Sequence, residues 1–110
     1  MLRRSWRLGV AFSTADITAP YAISVSVSDD ALCVDLADGR TISVPIAWYP
    51  RLAHGTPAER RNCRLIDGGE GIHWPDLDDD ISVASLLAGR RSGESQASLK
   101  RWLTGRSARP

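Results

Sequence analysis

Cysteine is scarce in this sequence, and its scarcity excludes two common ways of holding a small domain together. Only Cys33 and Cys63 occur among the 110 residues, thirty positions apart and without a histidine at ligand spacing. An isolated pair of this kind indicates neither a disulfide framework nor a zinc site. We therefore expect two reduced thiols in a cytoplasmic protein.

Long apolar runs are absent as well. No segment approaches the ~18 consecutive apolar residues that a transmembrane helix requires, so we expect no membrane partner. The N-terminal arginines are followed by a short apolar stretch, but Gly9 and Ser13 interrupt the continuous segment that a signal peptide needs. Residues 1–20 are therefore predicted to be a poorly ordered leader.

Histidine is the third scarce residue, with only His54 and His73. A catalytic triad would need a nucleophile and an acid that the sequence does not identify. The acidic run at 76–80 does not have the central glycine and closing glutamate of a calcium loop. We predict that the chain is not an enzyme and holds no metal or cofactor; an enzyme built on His73 and the acidic run is the alternative. If the body holds a ligand site, its mixture of side chains favours His73, Trp74 and Asp76.

Charge is distributed unevenly, although the formal net charge is only +1. Residues 1–20 carry three arginines and one acid, residues 21–89 five arginines and eleven acids, and residues 90–110 six basic residues and one acid. The three segments thus carry +2, −6 and +5. This division predicts an acidic body, residues 21–89, and a basic C-terminal segment, the one part with the charge to bind nucleic acid or an acidic partner.

Apolar and polar residues alternate in three segments, which is the period of half-buried strands. The predicted core-facing residues are Ile23, Val25, Val27, Leu32, Val34, Leu36, Ile42, Val44 and Ile46. Because paired residues lie on the same face of a sheet, the register pairs Val27 with Leu32, Val25 with Val34, Val34 with Ile42 and Leu32 with Val44. That register leaves a two-residue turn at Asp29–Asp30 and a three-residue loop that ends in a left-handed Gly39.

The second half of the body is predicted to contain a short helix, a β-hairpin and a capped helix. Residues 56–59 form a capping box, so a helix is expected at 57–62. Two short strands within 63–74 are joined by a glycine turn. Ser82 is the expected N-cap of a helix that ends at Gly89, and the acids before it favour the positive end of that helix. The fold class is therefore α+β: a three-stranded antiparallel β-meander, a short helix, a β-hairpin and a helix, followed by a basic C-terminal tail helix.

The C-terminal segment, residues 90–110, is predicted to be a polar linker followed by a short amphipathic helix. Leu99, Trp102 and Leu103 share one helix face at spacings of three and four residues. A helix of about seven residues does not persist alone in water. We therefore expect it to dock on the body or to order on a partner.

These features favour recognition over turnover. The predicted partner-binding residues are the apolar anchors Leu99, Trp102 and Leu103 and the bases Arg90, Arg91, Lys100 and Arg101. An amphipathic helix of this kind fits a groove on a cognate protein. The alternative is a nucleic-acid-binding regulator that uses these bases together with Arg106, and its affinity for DNA would fall steeply with salt.

Several stretches of the body resemble the bacterial domain-of-unknown-function 2442 family. They are Trp48-Tyr49-Pro50-Arg51-Leu52, Thr56-Pro57-Ala58-Glu59-Arg60 and, most specifically, Gly69-Glu70-Gly71-Ile72-His73-Trp74-Pro75 with the acidic run that follows it. The resemblance implies a small α+β fold with no reported enzymatic activity and no catalytic residue to carry over. Some relatives continue into a helix-turn-helix DNA-binding domain, for which the twenty-one residues after Gly89 are too few.

Other relatives look like the antitoxin half of a toxin–antitoxin pair. The resemblance therefore implies an antitoxin-like module whose cognate protein is a toxin encoded next door. A homodimer formed through an exposed sheet edge is a further expectation for a module of this size.

Overall fold

The computed structural model describes residues 20–107. In chain order its strands are β1 (Ala22–Val27), β2 (Ala31–Leu36), β3 (Thr41–Pro45), β4 (Arg64–Ile66), β5 (Gly71–Trp74) and β6 (Asp79–Ser82). Its helices are α1 (Pro50–His54), α2 (Pro57–Arg61), α3 (Val83–Leu87) and α4 (Gln96–Ser107), with 3₁₀ helices at Ile46–Trp48 and Asp67–Gly69. The predicted α+β class is confirmed. The leader predicted for residues 1–20 lies outside the described residues apart from Pro20.

The first sheet is an antiparallel meander in the order β1-β2-β3. The predicted pairs are present, namely Val27 with Leu32, Val25 with Val34, Val34 with Ile42 and Leu32 with Val44. The amide of Ser28 donates to the carbonyl of Ala31 at 2.9 Å, which closes the predicted two-residue turn. Gly39 has a φ of +95°, the left-handed conformation that the three-residue loop requires.

Ile23 departs from the prediction. The register between β1 and β2 shifts between Ala22 and Ser24, so one residue of β1 bulges out of the ladder. Ala22 is buried opposite Leu36, whereas Ile23 is 57% exposed. Strict alternation predicts that Ile23 faces the core, and that prediction is wrong because the bulge resets the parity of the strand.

The second sheet contains a strand that the sequence analysis does not predict. Its order is β4-β5-β6, and β6 pairs with β5 through Ile72–Ile81 and Trp74–Asp79. Aspartate is depleted in strands, and the acidic run before Ile81 hides this strand in the sequence. Pairing with β5 and the burial of Ile81, which is 5% exposed, outweigh that low propensity.

The helix caps agree with the prediction. The hydroxyl of Thr56 accepts from the amide of Glu59 at 3.1 Å, and the Glu59 carboxylate accepts from the amide of Thr56 at 2.9 Å, which completes the capping box of α2. The hydroxyl of Ser82 accepts from the amide of Ser85 at 3.0 Å at the start of α3. Gly89, after the end of α3, has a φ of +71°. The caps mark where α2 and α3 begin, and the two helices lie against β1 and against β3 and β6, respectively.

One hydrophobic core joins the two sheets to α1 and α3. Its largest fully buried side chains are Trp74, Leu32, Leu36, Leu52, Ile72, Leu77, Val34 and Val83. The indole Nε1 of Trp74 donates to the carbonyl of Arg60 at 3.0 Å, so its one polar atom is satisfied inside the core. Within residues 20–107, no helix is both long enough and apolar enough to cross a bilayer.

Candidate functional site

Helix α4 lies outside the core and is longer than the sequence predicts. It has 12 residues, and none of them is fully buried. Ser95 explains the early start: its hydroxyl accepts from the amide of Ser98 at 3.1 Å, and its carbonyl accepts from the amide of Leu99 at 3.0 Å. Both contacts are those of an N-cap residue.

The α-helical period divides α4 into three rows. The half-buried residues that face the body form the docked row, Ser98, Trp102 and Arg106. The half-buried residues beside them form the leucine flank, Leu99 and Leu103. The exposed residues opposite the body form the outer row, Ala97, Lys100, Arg101 and Thr104.

The Trp102 side chain joins α4 to the body. The guanidinium of Arg51 in α1 lies over the indole ring, 5.0 Å from its centroid, and that of Arg106 lies 4.7 Å from it. Both distances fall within the ~6 Å range of cation–π attraction. Trp102 also packs against the hydrophobic core. The residue predicted as an anchor for a partner therefore contacts the body of its own chain.

Arg51 connects α1 to the segment that precedes α4. Its Nε and Nη2 donate to the carboxylate of Glu94 at 2.9 and 2.6 Å, and the two side chains are only 16% and 12% exposed. Its Nη1 donates to the backbone carbonyl of Asp78 at 2.9 Å. Hydrogen bonds from Arg51 hold the pKa of Glu94 below its ordinary value. The charge-assisted, bidentate pair therefore fixes the segment before α4 to α1, and the bond to Asp78 fixes Arg51 to the loop before β6.

Arg106 fixes the other end of α4. Its Nη1 and Nη2 donate to the two carboxylate oxygens of Glu59 at 3.0 and 2.8 Å. Hydrogen bonds from Arg106 and from the backbone of Thr56 lower the pKa of Glu59 from 4.5 to about 2. The same carboxylate thus caps α2 and binds α4.

The polar linker before α4 follows a defined path along the body. The hydroxyl of Tyr49 donates to the carbonyl of Arg90 at 2.9 Å, and the amide of Ser92 donates to the carbonyl of Trp48 at 3.0 Å. The Arg91 guanidinium lies over the Trp48 ring, 5.0 Å from its centroid. The bases at the start of the linker are therefore kept apart from those of α4.

The residues predicted to bind a partner are distributed over three places. Trp102 is in the docked row, Arg90 and Arg91 are in the linker, and Lys100 and Arg101 are in the outer row. Among residues 20–107, the leucine flank belongs neither to the core nor to the partly buried side chains packed against it. The structure therefore brings together two leucines and two bases on the accessible sides of α4.

The structure does not bring His73, Trp74 and Asp76 together. His73 lies on the outer face of the second sheet, where its ring nitrogen Nδ1 contacts the carboxylate of Asp80. Trp74 points to the opposite face and is fully buried. Asp76 is exposed and accepts a hydrogen bond from Asn62 Nδ2 at 2.9 Å. The three side chains therefore have different surroundings, although they are close together in the sequence.

A cleft that the sequence analysis does not predict opens between β6 and the linker. Its volume is about 160 Å³, and it is lined by Tyr49, Asp79, Asp80, Ile81, Ser82, Ser85, Arg91, Ser92 and Gly93. Asp79 is half-buried, and burial raises its pKa to about 6, although Arg51 opposes the shift. The signal in the sequence is parity, because Asp79 shares the core face of β6 with Ile81 once that strand is recognised. Residues 20–107 contain no cluster of His, Cys, Asp and Glu that could hold a metal ion.

Comparisons with known proteins identify the fold without assigning an activity. The family model described as "Protein of unknown function (DUF2442)" matches residues 22–92. A crystal structure of a protein of unknown function from Rhodospirillum rubrum is 26% identical, with a TM-score of 0.61, and the match covers 74% of this chain and 99% of that one. The solution NMR structure of an uncharacterised protein from Chromobacterium violaceum is 23% identical, with a TM-score of 0.57, over 78% of this chain and 75% of that one. No curated protein matches this chain.

Proposed function

This chain belongs to the DUF2442 family of proteins of unknown function, and we propose that it is a non-catalytic protein-binding module whose helix α4 binds a partner protein. The observation that supports this function is the way α4 is attached. The docked row and Glu94 hold the helix through ion pairs and one tryptophan, while Leu99 and Leu103 stay outside the core.

The leucine flank has the chemistry of a protein-binding surface. Leu99 and Leu103 line a groove of about 330 Å³ together with Gln96, Ala97 and Lys100. Two leucines beside polar and cationic side chains resemble the apolar centre and polar rim of a protein interface. A partner that presents an apolar ridge beside acidic residues would complement both parts. A cognate toxin would be such a partner, which is the antitoxin-like form of this proposal.

The structure changes the role that we assign to Trp102. Its ring faces the body between Arg51 and Arg106, so we assign it to positioning α4 and assign partner contact to the leucine flank. This assignment needs no movement of α4 on binding. The interface can therefore form by rigid docking, which is the common case for preorganised surfaces.

A paired-variant binding experiment tests the proposal. Protein that co-purifies with the wild-type chain from its native cells is identified, produced separately and titrated against Leu99→Asn with Leu103→Asn. Loss of a buried anchor pair is expected to weaken binding by at least ~2 kcal/mol, or roughly thirtyfold. Amide exchange of α4 in the double variant shows whether the helix itself stays docked.

The matched control is Arg101→Asn with Thr104→Asn, which alters two outer-row residues of the same helix. We expect this control to bind within about threefold of wild type, since rim charges contribute little. An equal loss in both double variants, or no loss in the leucine variant, would contradict the proposed surface. The same variants are also titrated with DNA. If the chain bound DNA with a steep salt dependence, and only the outer-row variant weakened that binding, the nucleic-acid alternative would replace the proposal. Neither double variant changes Arg106, which binds Glu59 and helps to hold α4 on the body.

A further inference from the structure

One half-buried carboxylate differs from the others in this molecule. Within residues 20–107, the half-buried acids are Glu59, Glu94 and Asp79, and the other acids are exposed. Glu59 binds Arg106 and Glu94 binds Arg51 through paired hydrogen bonds. No side chain among residues 20–107 forms an ion pair or a hydrogen bond with the Asp79 carboxylate.

The cation that attracts Asp79 is already engaged. Arg51 uses its Nε and Nη2 on Glu94 and its Nη1 on the carbonyl of Asp78, so it attracts Asp79 without binding it. Glu94 and Asp80 add negative charge near Asp79. A half-buried carboxylate without a direct counter-ion is unfavourable unless a ligand or solvent compensates it.

The fold directs Asp79 towards a small cleft. Strand parity puts the residue on the core face of β6, opposite Trp74, at the end of the strand where the core gives way to the linker. The cleft of about 160 Å³ corresponds to the liquid volume of about five water molecules. Drug-sized ligands occupy pockets of roughly 300–1,000 Å³, so this cleft suits only a very small group.

Four of the other lining residues carry hydroxyl groups. The hydroxyl of Tyr49 donates its hydrogen to the carbonyl of Arg90, which leaves the phenol oxygen as an acceptor. Ser82, Ser85 and Ser92 also line the cleft together with Asp79. The hydroxyl of Ser82 is engaged as the N-cap of α3, and those of Ser85 and Ser92 each accept one hydrogen bond within the chain, from Ser82 Oγ and from the amide of Glu94. The one basic residue of the lining is Arg91, whose guanidinium lies over the ring of Trp48.

We propose that this cleft binds one primary ammonium group, with Asp79 as its counter-ion. An ammonium is compact and has three hydrogen-bond donors, which suits a carboxylate in a small cleft whose lining includes Tyr49 and three serines. The group comes either from a free alkylamine or from a lysine side chain of a bound protein. This site does not involve the leucine flank, so it is independent of the function proposed above.

Titration of the full chain with propylammonium chloride, followed by NMR of the backbone amides, tests this site. A lone ammonium–carboxylate contact gives millimolar affinity at best, so the titration extends to about 50 mM. At pH 7 we expect saturable shifts at the lining residues. Tetramethylammonium, which has the same charge and no N–H donor, is expected to give none. The affinity for propylammonium is expected to fall as the pH decreases below 6, because protonation of Asp79 removes the counter-ion.

Two matched variants show whether propylammonium binds at Asp79 specifically or is attracted by the acidic residues around it. Asp79→Asn is expected to weaken propylammonium binding at least tenfold, whereas Asp78→Asn, at the exposed neighbouring acid, is expected to leave it within twofold. Binding by Asp79→Asn at wild-type strength, equal binding of tetramethylammonium, or no saturable shift at about 50 mM would overturn the proposal. Because Leu99 and Leu103 are intact in both variants, failure here leaves the proposed protein-binding surface unaffected.

A second probe distinguishes between the two sources of the ammonium, a free alkylamine and a lysine side chain of a protein. Nα-acetyl-lysine N-methylamide carries the same amine on a peptide backbone. Binding of this probe within threefold of propylammonium indicates that the cleft accepts a protein lysine. Binding of propylammonium alone indicates a free alkylamine, because the peptide backbone is then too large for the entrance.

Discussion

The body and helix α4 are held together by different physical forces. The body closes around fully buried apolar side chains such as Leu32 and Trp74. Helix α4 has no fully buried residue. It is attached to the body by the ring of Trp102 and by the Arg106–Glu59 ion pair, and the Arg51–Glu94 pair holds the segment just before it. Apolar burial depends little on salt or pH, whereas paired charges near the surface depend on both. We therefore expect that α4 can detach from the body under conditions in which the body stays folded.

The largest expected effect comes from the centre of the body. Trp74→Ala is expected to lower the free energy of unfolding by about 3–5 kcal/mol, because it leaves a cavity and removes the hydrogen bond to Arg60. Urea denaturation followed by circular dichroism measures this change. If the alanine variant does not fold, Trp74→Phe should fold with a smaller loss, since the ring fills most of the space. A loss below about 1 kcal/mol for the alanine variant would mean that burial does not dominate the body.

Replacement of Trp102, in α4, is expected to destabilise that helix and not the body. Trp102→Ala should reduce the protection of α4 amides against hydrogen exchange by a local free energy of about 1–2 kcal/mol, because both cation–π contacts are lost. The amides of β2 and β5 should retain wild-type protection. Leu99→Ala, on the flank of the same helix, is the control and should leave α4 protection unchanged. Equal loss of protection in α4 and in the body would mean that the two unfold together, which would contradict the expectation that α4 detaches on its own.

The smallest expected effect concerns the charge of Glu59. Its pKa is lowered from 4.5 to about 2, so its contribution to stability is present above pH 4.5 and disappears as the pH falls towards 2. Over that range we expect α4 to lose exchange protection before the body unfolds. Because the pair with Arg106 is near the surface, the loss should be below about 1 kcal/mol.

Glu59→Gln isolates the pair, because glutamine keeps the capping box of α2 while removing the charge. In this variant the α4 amides should already be less protected against exchange at neutral pH than in the wild type. They should lose no further protection between pH 4.5 and 2. An α4 transition of the same size in Glu59→Gln would assign the acid sensitivity to another carboxylate, of which Glu94 is the next candidate.

Recognition of the strands and caps from sequence depended on strictly local rules. The parity of Val27 with Leu32 set the first hairpin, and a left-handed Gly39 set the second. The two failures have local causes as well. A bulge moved Ile23 to the surface, and aspartates concealed β6 until its pairing with β5 was visible.

The candidate sites were less accessible to sequence reasoning. The helical spacing of Leu99, Trp102 and Leu103 predicted the amphipathic tail, but spacing alone could not show that Trp102 faces the body while the leucines lie beside it. The residues that attach α4 are separated by 43 positions for Arg51–Glu94 and 47 for Glu59–Arg106. No local pattern connects residues so far apart along the chain.

The sequence by itself determined the α+β class, the meander register, the helix caps and the division into an acidic body and a basic tail, because each depends on neighbouring residues and on composition. Only the tertiary structure decided which bases are paired, which face of α4 is docked and which acid lies in the cleft without a side-chain partner among the described residues. Those outcomes depend on distances between residues remote in sequence, and such distances exist only after the core has brought the sheets and helices together.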